Sequence, residues 1–504
     1  MSTTVRPQPY PRALYELLDR VALESQGDLS TTVTGITQDS REVVPGDIYA
    51  ALPGFTVHGA RFAQQAVAAG AVAVLTDAEG VALAGVPGTP LLIAADPRAI
   101  VGHVAAWVYG DPAEDLLMIG ITGTNGKTTT SYLVDAGLRA TGRATGLIGT
   151  IGTRIGDSTA PTVRTTPEAT DVHALLAVMR ERGVTCVTME VSSHALALHR
   201  VGGLVFDVVG FTNLSQDHLD FHGDMENYFT AKASLFTSEH ARRGIVCIDD
   251  EWGRRLADTS GISVTSLATD GALADWQVSE VSRTTAGRAV IDVRQPDGSL
   301  AILETALPGR FNVANVVLAH ALLRTAGVAT GASVTGLAMA SGVPGRMERI
   351  DGGDTGVDIF VDYAHSPDAV ERVVETAREF TSGRVIVVLG GGGDRDRDKR
   401  PHMGRAASAA DVVVVTDDNP RSETPANIRA SIRAGIPEGV EWVELADRRL
   451  AIEHAVSIAN AGDTVLILGK GHETGQEVAG VMAPFDDRVE AAAAVDTRTS
   501  SGAL

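Results

Sequence analysis

Residues 118–122 form an apolar β-type run that leads straight into Gly123-Thr124-Asn125-Gly126-Lys127-Thr128-Thr129 and then into a helix-compatible stretch, residues 130–138. A strand that turns through glycines and re-enters as a helix is the opening of a βα unit, so this order commits the region to a helix-covered parallel sheet. Glycines let backbone N–H groups turn toward phosphate oxygens, Lys127 adds a point positive charge, and the Thr128 hydroxyl can coordinate Mg²⁺. The usual phosphate loop carries glycine five residues before the Gly-Lys pair; here that residue is Ile121, so the motif is a variant. The competing reading is a glycine turn that merely caps a helix, with Lys127 solvated. The sequence strand, loop, helix weighs against it.

The same rhythm recurs along the chain. Apolar runs at 185–189, 205–211 and 244–248 follow the first, and a later series lies at 358–361, 385–389, 412–416 and 464–468. Ahead of them, residues 48–52 and 72–76 read as buried strands and 60–69 as a helix, with Asp111-Pro112 as a closing turn. A chain of 504 residues exceeds one ordinary core. The expectation is α/β with three domains: 1–115, 116–345 around a P-loop-type, mostly parallel sheet, and 346–504 as a Rossmann-like unit. The 54 glycines suit the many tight turns this requires.

A formal net charge of −21 excludes a general binder of nucleic acid or anionic membrane, which needs a broad basic surface. It leaves room for a small anionic substrate held by a few local Arg and Lys groups. No apolar h-region follows Arg6 and Arg12, and the Ala-rich stretch 63–95 is broken by Asp77, Glu79, Pro87 and Pro90. A cytoplasmic location without membrane insertion is expected. Cys186 and Cys247 lie in strand-like runs and read as buried free thiols, although sequence alone leaves a disulfide open.

Unusual polar residues follow the strands directly, where open α/β sheets bind ligands. Glu190-Val191-Ser192-Ser193-His194 follows one run, and Asn213-Leu214-Ser215-Gln216-Asp217-His218-Leu219-Asp220 another. Mg²⁺ prefers oxygen, which suits Glu190; His218 is a less typical ligand. Lys232, in a helical stretch, reads on composition as a surface lysine. Thr165-Thr166-Pro167 reads equally well as an N-cap before a helix.

Together with Phe311-Asn312-Val313-Ala314-Asn315, Gly345-Arg346-Met347-Glu348 and Asp362-Tyr363-Ala364-His365, these motifs resemble, in order, those of the Mur ligases, the ATP-dependent amino-acid ligases of peptidoglycan precursor synthesis. Asp39-Ser40-Arg41, Pro45-Gly46-Asp47 and His58-Gly59 resemble that family's nucleotide-sugar domain. The resemblance implies ATP and Mg²⁺ as cofactors and an acyl-phosphate mechanism, by a chain expected to work as a monomer on small molecules. It implies nucleotide contacts at Gly123 to Thr129, Asn312, Asn315 and Arg346, and metal contacts at Thr128, Glu190, His218 and a carbamylated Lys232. Lys127, Lys232, His218, Asp362 and His365 become the catalytic set, with His365 as an orienting group rather than a base. Ser40, Thr165, Thr166, Ser192 and Arg200 would hold UDP-MurNAc-L-Ala-D-Glu. Some relatives carry Gln two residues before that Arg, where this chain has Leu198.

The resemblance is strongest to the branch that adds meso-2,6-diaminopimelate. Positions matching its amino-acid site are Arg395, Asp418, Asn419, Pro420, Arg421, Gly469 and Glu473. Arg421 suits the carboxylate that lysine lacks, and Glu473 the distal ammonium. Read alone, Asp-Asn-Pro-Arg is often a turn and 394–400 a solvated charged loop. A lysine-adding Mur ligase, folylpolyglutamate synthase and a nucleotide-hydrolysing switch protein are the alternatives. Arg421 disfavours the first, the nucleotide-type N-terminal domain the second, and the amino-acid cluster the third.

Overall fold

The computed structural model describes residues 6–501 except 163, 286, 341 and 395, with side chains as far as 499. Three large sheets organise it. The first has five strands in the order Glu24–Gln26, Leu91–Ile93, Ala73–Thr76, Asp47–Ala50, Gly35–Thr37; the last four are mutually parallel. Helix Pro97–Val108 covers it. Asp96 caps this helix by accepting from the N–H groups of Arg98 and Ala99, and Pro97 sits in the first turn, where no N–H is needed. The expected helix 60–69 divides into a 3₁₀ turn, Gly59–Phe62, and a short α-helix, Ala63–Ala68.

The central sheet has eleven strands. Seven parallel ones fill the middle: Thr145–Gly149, Cys186–Glu190, Leu117–Thr122, Val208–Phe211, Arg243–Cys247, Ser263–Ala268 and Trp276–Arg283. Antiparallel strands extend both rims, Gly152–Ile155 and Ser158–Ala160 on one side, Ala289–Arg294 and Leu300–Thr305 on the other. Successive residues of Leu117–Thr122 feed opposite cores. Ile119 and Ile121 pack with Leu133, Leu318 and Leu322, and Met118 with Val187, Leu176 and Phe211. The expected strand 205–211 starts only at Val208: Phe206 is buried but makes a lone bridge to Ala241, and Val205 is exposed.

The C-terminal sheet runs Glu348–Ile350, Asp358–Asp362, Thr464–Leu468, Val385–Leu389, Val412–Val415, Glu441–Glu444, parallel except for the first pair. Its strands are nearly unbroken Val, Ile and Leu because both faces are buried. The last of these strands in sequence, Thr464–Leu468, is inserted between the first two parallel ones. The segments after residues 362, 389, 415 and 468 therefore leave the sheet at one edge. Among the described residues no helix is long and apolar enough to cross a membrane.

Candidate active site

The phosphate loop joins strand Leu117–Thr122 to helix Lys127–Arg139, with Gly126 at φ 86° as the N-cap. A side chain at Gly126 would overlap Asn315 Oδ1, so glycine is sterically required there. The loop is laced to the segment after strand Val208–Phe211. Thr124 N–H donates to Asn213 O (2.9 Å), Asn125 N–H to Asn213 Oδ1 (3.0 Å), and Thr212 Oγ1 to Asn125 O (2.6 Å). Lys127 Nζ folds back onto the carbonyls of Gly123 and Thr124, both at 2.9 Å. Thr129 is buried on the helix.

Beside the loop, Thr128 Oγ1 donates to Glu190 Oε2 at 2.9 Å. Thr150, which follows strand Thr145–Gly149 and was not anticipated, donates both its N–H and its hydroxyl to the same carboxylate, each at 2.9 Å. Its position at a strand's carboxyl end is the signal that could have found it. Thr128 and Glu190 offer adjacent oxygen donors, a set that fits Mg²⁺. Among the described residues no group of three or more His, Cys, Asp and Glu is arranged to hold a metal.

Lys232 is fully buried, contrary to its surface reading. Its Nζ donates to Gly123 O at 2.7 Å, the carbonyl that also receives Lys127, and lies 4.7 Å from the Tyr228 ring centroid. Burial and the Lys127 charge push its ammonium well below the ordinary lysine range. His218 adopts φ 54° and packs edge-on to His194, centroids 4.8 Å apart, with Asp217 Oδ2 3.5 Å from its Nε2. Desolvation pulls the His218 ring down to about 4 although Asp217 opposes it.

Thr165 and Thr166 are not an N-cap. Helix Ala169–Glu181 begins at Glu168, with no side-chain cap. Thr166 Oγ1 instead donates to Glu190 O (2.8 Å) and accepts from Ser192 N–H (3.1 Å), while Thr165 Oγ1 lies 3.0 Å from Thr150 Oγ1. Arg200 donates to Thr166 O (3.4 Å) and pairs with Glu168 (2.9 Å). Leu198 ends helix Ser193–Ala197. Ser40 sits on the first sheet's side, three residues beyond strand Gly35–Thr37. The two parts meet closely: a side chain at Gly102 of helix Pro97–Val108 would overlap Gly202 O in the loop after Arg200.

The C-terminal sheet closes the site from the opposite side. Arg346 Nη2 donates to Thr128 Oγ1 across the gap (3.3 Å), and its guanidinium stacks 4.5 Å from the Tyr363 ring. Buried Asp362 accepts from Met347 N–H and Ala364 N–H, both at 2.7 Å, and thereby fixes the segment bearing Arg346. His365 Nδ1 is 2.8 Å from Tyr363 O. Asn312 and Asn315 share one face of helix Arg310–Thr325, with Asn315 Nδ2 donating to Asn312 Oδ1 (3.0 Å). Asp368, also unanticipated, accepts from Asn125 Nδ2 (3.3 Å) and Ser215 Oγ (3.1 Å), so it bridges the two sheets' loops.

At the same edge, Asn419 Nδ2 donates to Glu473 Oε2 (2.8 Å), and Gly469, at φ 115°, lies against Asp418. Gly393 N–H donates to Asn419 O (2.8 Å) directly beneath Pro420. Arg421 takes φ 52° and donates through Nη1 to Gly393 O (2.7 Å). Its backbone pairs with the hairpin Gly475–Val478 and Val481–Pro484, which the sequence reading did not find. The charged loop is only partly solvated: Arg400 is buried on Glu423 (2.8 Å). Arg395 lies outside the described residues.

Residues 32–107 match the model described as Mur ligase family, catalytic domain; 121–323 match the Mur ligase middle domain, and 345–471 the Mur ligase, glutamate ligase domain. The chain is 52% identical over 464 residues to the UDP-N-acetylmuramoyl-L-alanyl-D-glutamate--2,6-diaminopimelate ligase of Streptomyces avermitilis, an alignment covering 91% of each. To the enzyme of that name from Streptomyces coelicolor it is 51% identical, over 94% of each. A solved structure of a UDP-N-acetylmuramoyl-L-alanyl-D-glutamate--2,6-diaminopimelate ligase superposes with a TM-score of 0.68 at 32% identity, covering 97% of this chain and 100% of that one.

Proposed function

The chain belongs to the Mur ligase family, and from that premise we propose that it joins meso-2,6-diaminopimelate to the D-glutamate γ-carboxylate of UDP-MurNAc-L-Ala-D-Glu, with conversion of ATP to ADP and phosphate. It is an ATP-dependent, ADP-forming ligase of peptidoglycan precursor synthesis. The observation that carries the reading is one of placement. The phosphate loop follows a strand of the central sheet, the Asp418 to Glu473 cluster follows strands of the C-terminal sheet, and Arg346 reaches from the second unit to Thr128 of the first. We assign residues 1–115 to the muramyl nucleotide, 116–345 to ATP and 346–504 to the amino acid, and the reaction to a cytoplasmic monomer.

The γ-carboxylate oxygen attacks the γ-phosphorus, and ADP leaves. The diaminopimelate amine then attacks the acyl carbon, loses a proton, and inorganic phosphate departs. Lys127, once released from the Gly123 and Thr124 carbonyls, and the N–H groups that open helix Lys127–Arg139 face the charge that develops during phosphoryl transfer. Thr128, Glu190, His218 and Lys232 would hold Mg²⁺, which would neutralise phosphate charge when bound. Lys232 serves as its carbamate: the uncharged amine adds to CO₂ and releases a proton. The support is geometric, because two ammonium groups on the single Gly123 carbonyl would repel each other and a metal. Asn312, Asn315 and Arg346 contact the nucleotide, while Asp362 and His365 orient the closing segment. Ser40, Thr165, Thr166, Ser192 and Arg200 hold the muramyl dipeptide. Asp418, Asn419, Pro420, Arg421, Gly469 and Glu473 hold diaminopimelate. Holding three reactants in register supplies most of the rate.

Purified protein given ATP, Mg²⁺ and UDP-MurNAc-L-Ala-D-Glu should release phosphate and form a tripeptide with diaminopimelate, and not with L-lysine. Preference for diaminopimelate should be on the order of 10⁴-fold, the scale expected when a polar group of a site loses its partner. Arg421→Ala should collapse that preference. Retained discrimination in the variant would remove Arg421 from the specificity role, and release with lysine alone would make the chain a lysine-adding member of the family.

A further inference from the structure

Lys470 has no role in the site as drawn so far, yet it is one of the most deeply buried side chains of the molecule, with no exposed surface. It leaves strand Thr464–Leu468 one residue beyond Gly469. Its Nζ lies 3.5 Å from Asp418 Oδ1, 3.5 Å from Glu473 Oε2 and 3.3 Å from Asn419 Oδ1. Among the described residues no donor makes a hydrogen bond to Asp418 Oδ1, and the Lys470 ammonium pairs with it at 3.5 Å. We propose that Lys470 is a positioning residue of the amino-acid site, whose ammonium draws Asp418 and Glu473 into one carboxylate pair that receives the distal ammonium of the incoming amino acid. This rests on the assignment of that cluster to the amino-acid substrate.

Charge balance supports the role. Arg448, behind the pocket, is matched by Asp487 at 2.6 Å, while Arg421, across it and 3.8 Å from Glu477, is assigned to the carboxylate of the substrate. Among the described residues, Asp418, Glu473 and Lys470 form a group of two carboxylates and one ammonium, and the sum of −1 of this group complements one ammonium. Without Lys470 two carboxylates would share a poorly solvated pocket, and one would take up a proton. Glu473 is the one exposed to this. Burial and the Asp418 charge already raise it above the ordinary carboxylate range, while Lys470 and the Asn419 amide pull it back. Arg448 also faces it from the rear. A protonated Glu473 cannot pair with an ammonium, so removing Lys470 costs amino-acid affinity, most severely at low pH.

The test is steady-state kinetics of Lys470→Met, Lys470→Gln and Lys470→Arg, varying each substrate separately across pH. The KM for diaminopimelate should rise at least tenfold in the Met and Gln variants, with KM for ATP and for the muramyl dipeptide within twofold of wild type. The acidic limb of kcat/KM for diaminopimelate should move to higher pH by about one unit, the direction for a carboxyl group that has lost a cationic neighbour. Lys470→Arg should recover most of the affinity and return the limb toward its original position. Gln is neutral but polar, one atom shorter than Lys, and guards against a Met variant that fails to fold. An unmoved amino-acid KM and pH limb in both neutral variants would overturn the proposal, as would a fall in kcat with no KM selectivity. If wild-type enzyme uses lysine, the series is run with lysine, whose distal ammonium meets the same pair; the substrate assignment can then fail while this role stands.

Discussion

The ammonium of Lys232 is buried 2.7 Å from the carbonyl that also holds Lys127, an arrangement that burial and like charge both disfavour. Such a side chain is retained for chemistry rather than for folding. Lys232→Met should therefore melt within about 2 °C of wild type, or above it, in a thermal scan. The same variant should lose on the order of 100-fold or more in phosphate release, because a charge-stabilising ligand is gone. Lys232→Arg should be as inactive, since guanidinium cannot form a carbamate. Wild-type turnover in either variant would exclude the carbamate role. Sequence composition pointed the wrong way here, because nothing local distinguishes this lysine from a solvated one. Its burial is imposed by helix Met225–Ala233 packing its lysine under a loop more than 100 residues away in sequence. Lys127, Thr128 and Glu190 were legible for the opposite reason: each sits at or just beyond a strand end, inside a motif whose order is itself informative.

Two strands that enclose the amino-acid cluster, Val385–Leu389 and Thr464–Leu468, were readable to the residue, since unbroken aliphatic runs bounded by glycine or charge leave little freedom of register. The rim strands Ala289–Arg294 and Leu300–Thr305 were missed. They alternate buried and exposed residues, and Asp292, Arg294 and Glu304 interrupt the apolar signal. The hairpin over Arg421 was missed because its exposed strands carry no core pattern. Loops between elements meet with similar economy. Gly345 takes φ 64°, and a side chain there would overlap His472 N in the segment after strand Thr464–Leu468. Gly345→Ala should cost about 2 kcal/mol or more in denaturant unfolding, from the left-handed backbone plus the displaced contact. Because the displaced segments carry Arg346 on one side and Glu473 on the other, KM for ATP and for diaminopimelate should rise together. A rise in only one would show that the two loops are positioned independently.

At the scale of the whole molecule, the contacts between the central and C-terminal units among the described residues include two separated places. One is the catalytic gap, where Asp368 receives Asn125 and Ser215 and Arg346 meets Thr128. The other is the rim, where Arg283 pairs with Glu379 at 3.6 Å and Gly309 packs against Thr376. The sequence could suggest three units but not these contacts, which join residues distant in the chain through polar groups with no local pattern. If ATP enters and ADP leaves by separation of the two sheets, the rim must open in every cycle. The Arg283–Glu379 pair offers a place to hold it shut, since both side chains are partly exposed and neither belongs to the proposed substrate sites. Replacing both with cysteine and joining them with a short bismaleimide should reduce turnover at least tenfold, while each single cysteine variant stays near wild type. The native Cys186 and Cys247 are buried, so labelling should be confined to the introduced pair. A reducible linker of equal length should restore turnover on cleavage, which separates restrained motion from damage at the rim. Full turnover in the cross-linked protein would mean that the sheets need not part at this edge, and that nucleotide exchange is served by movement of the loops alone.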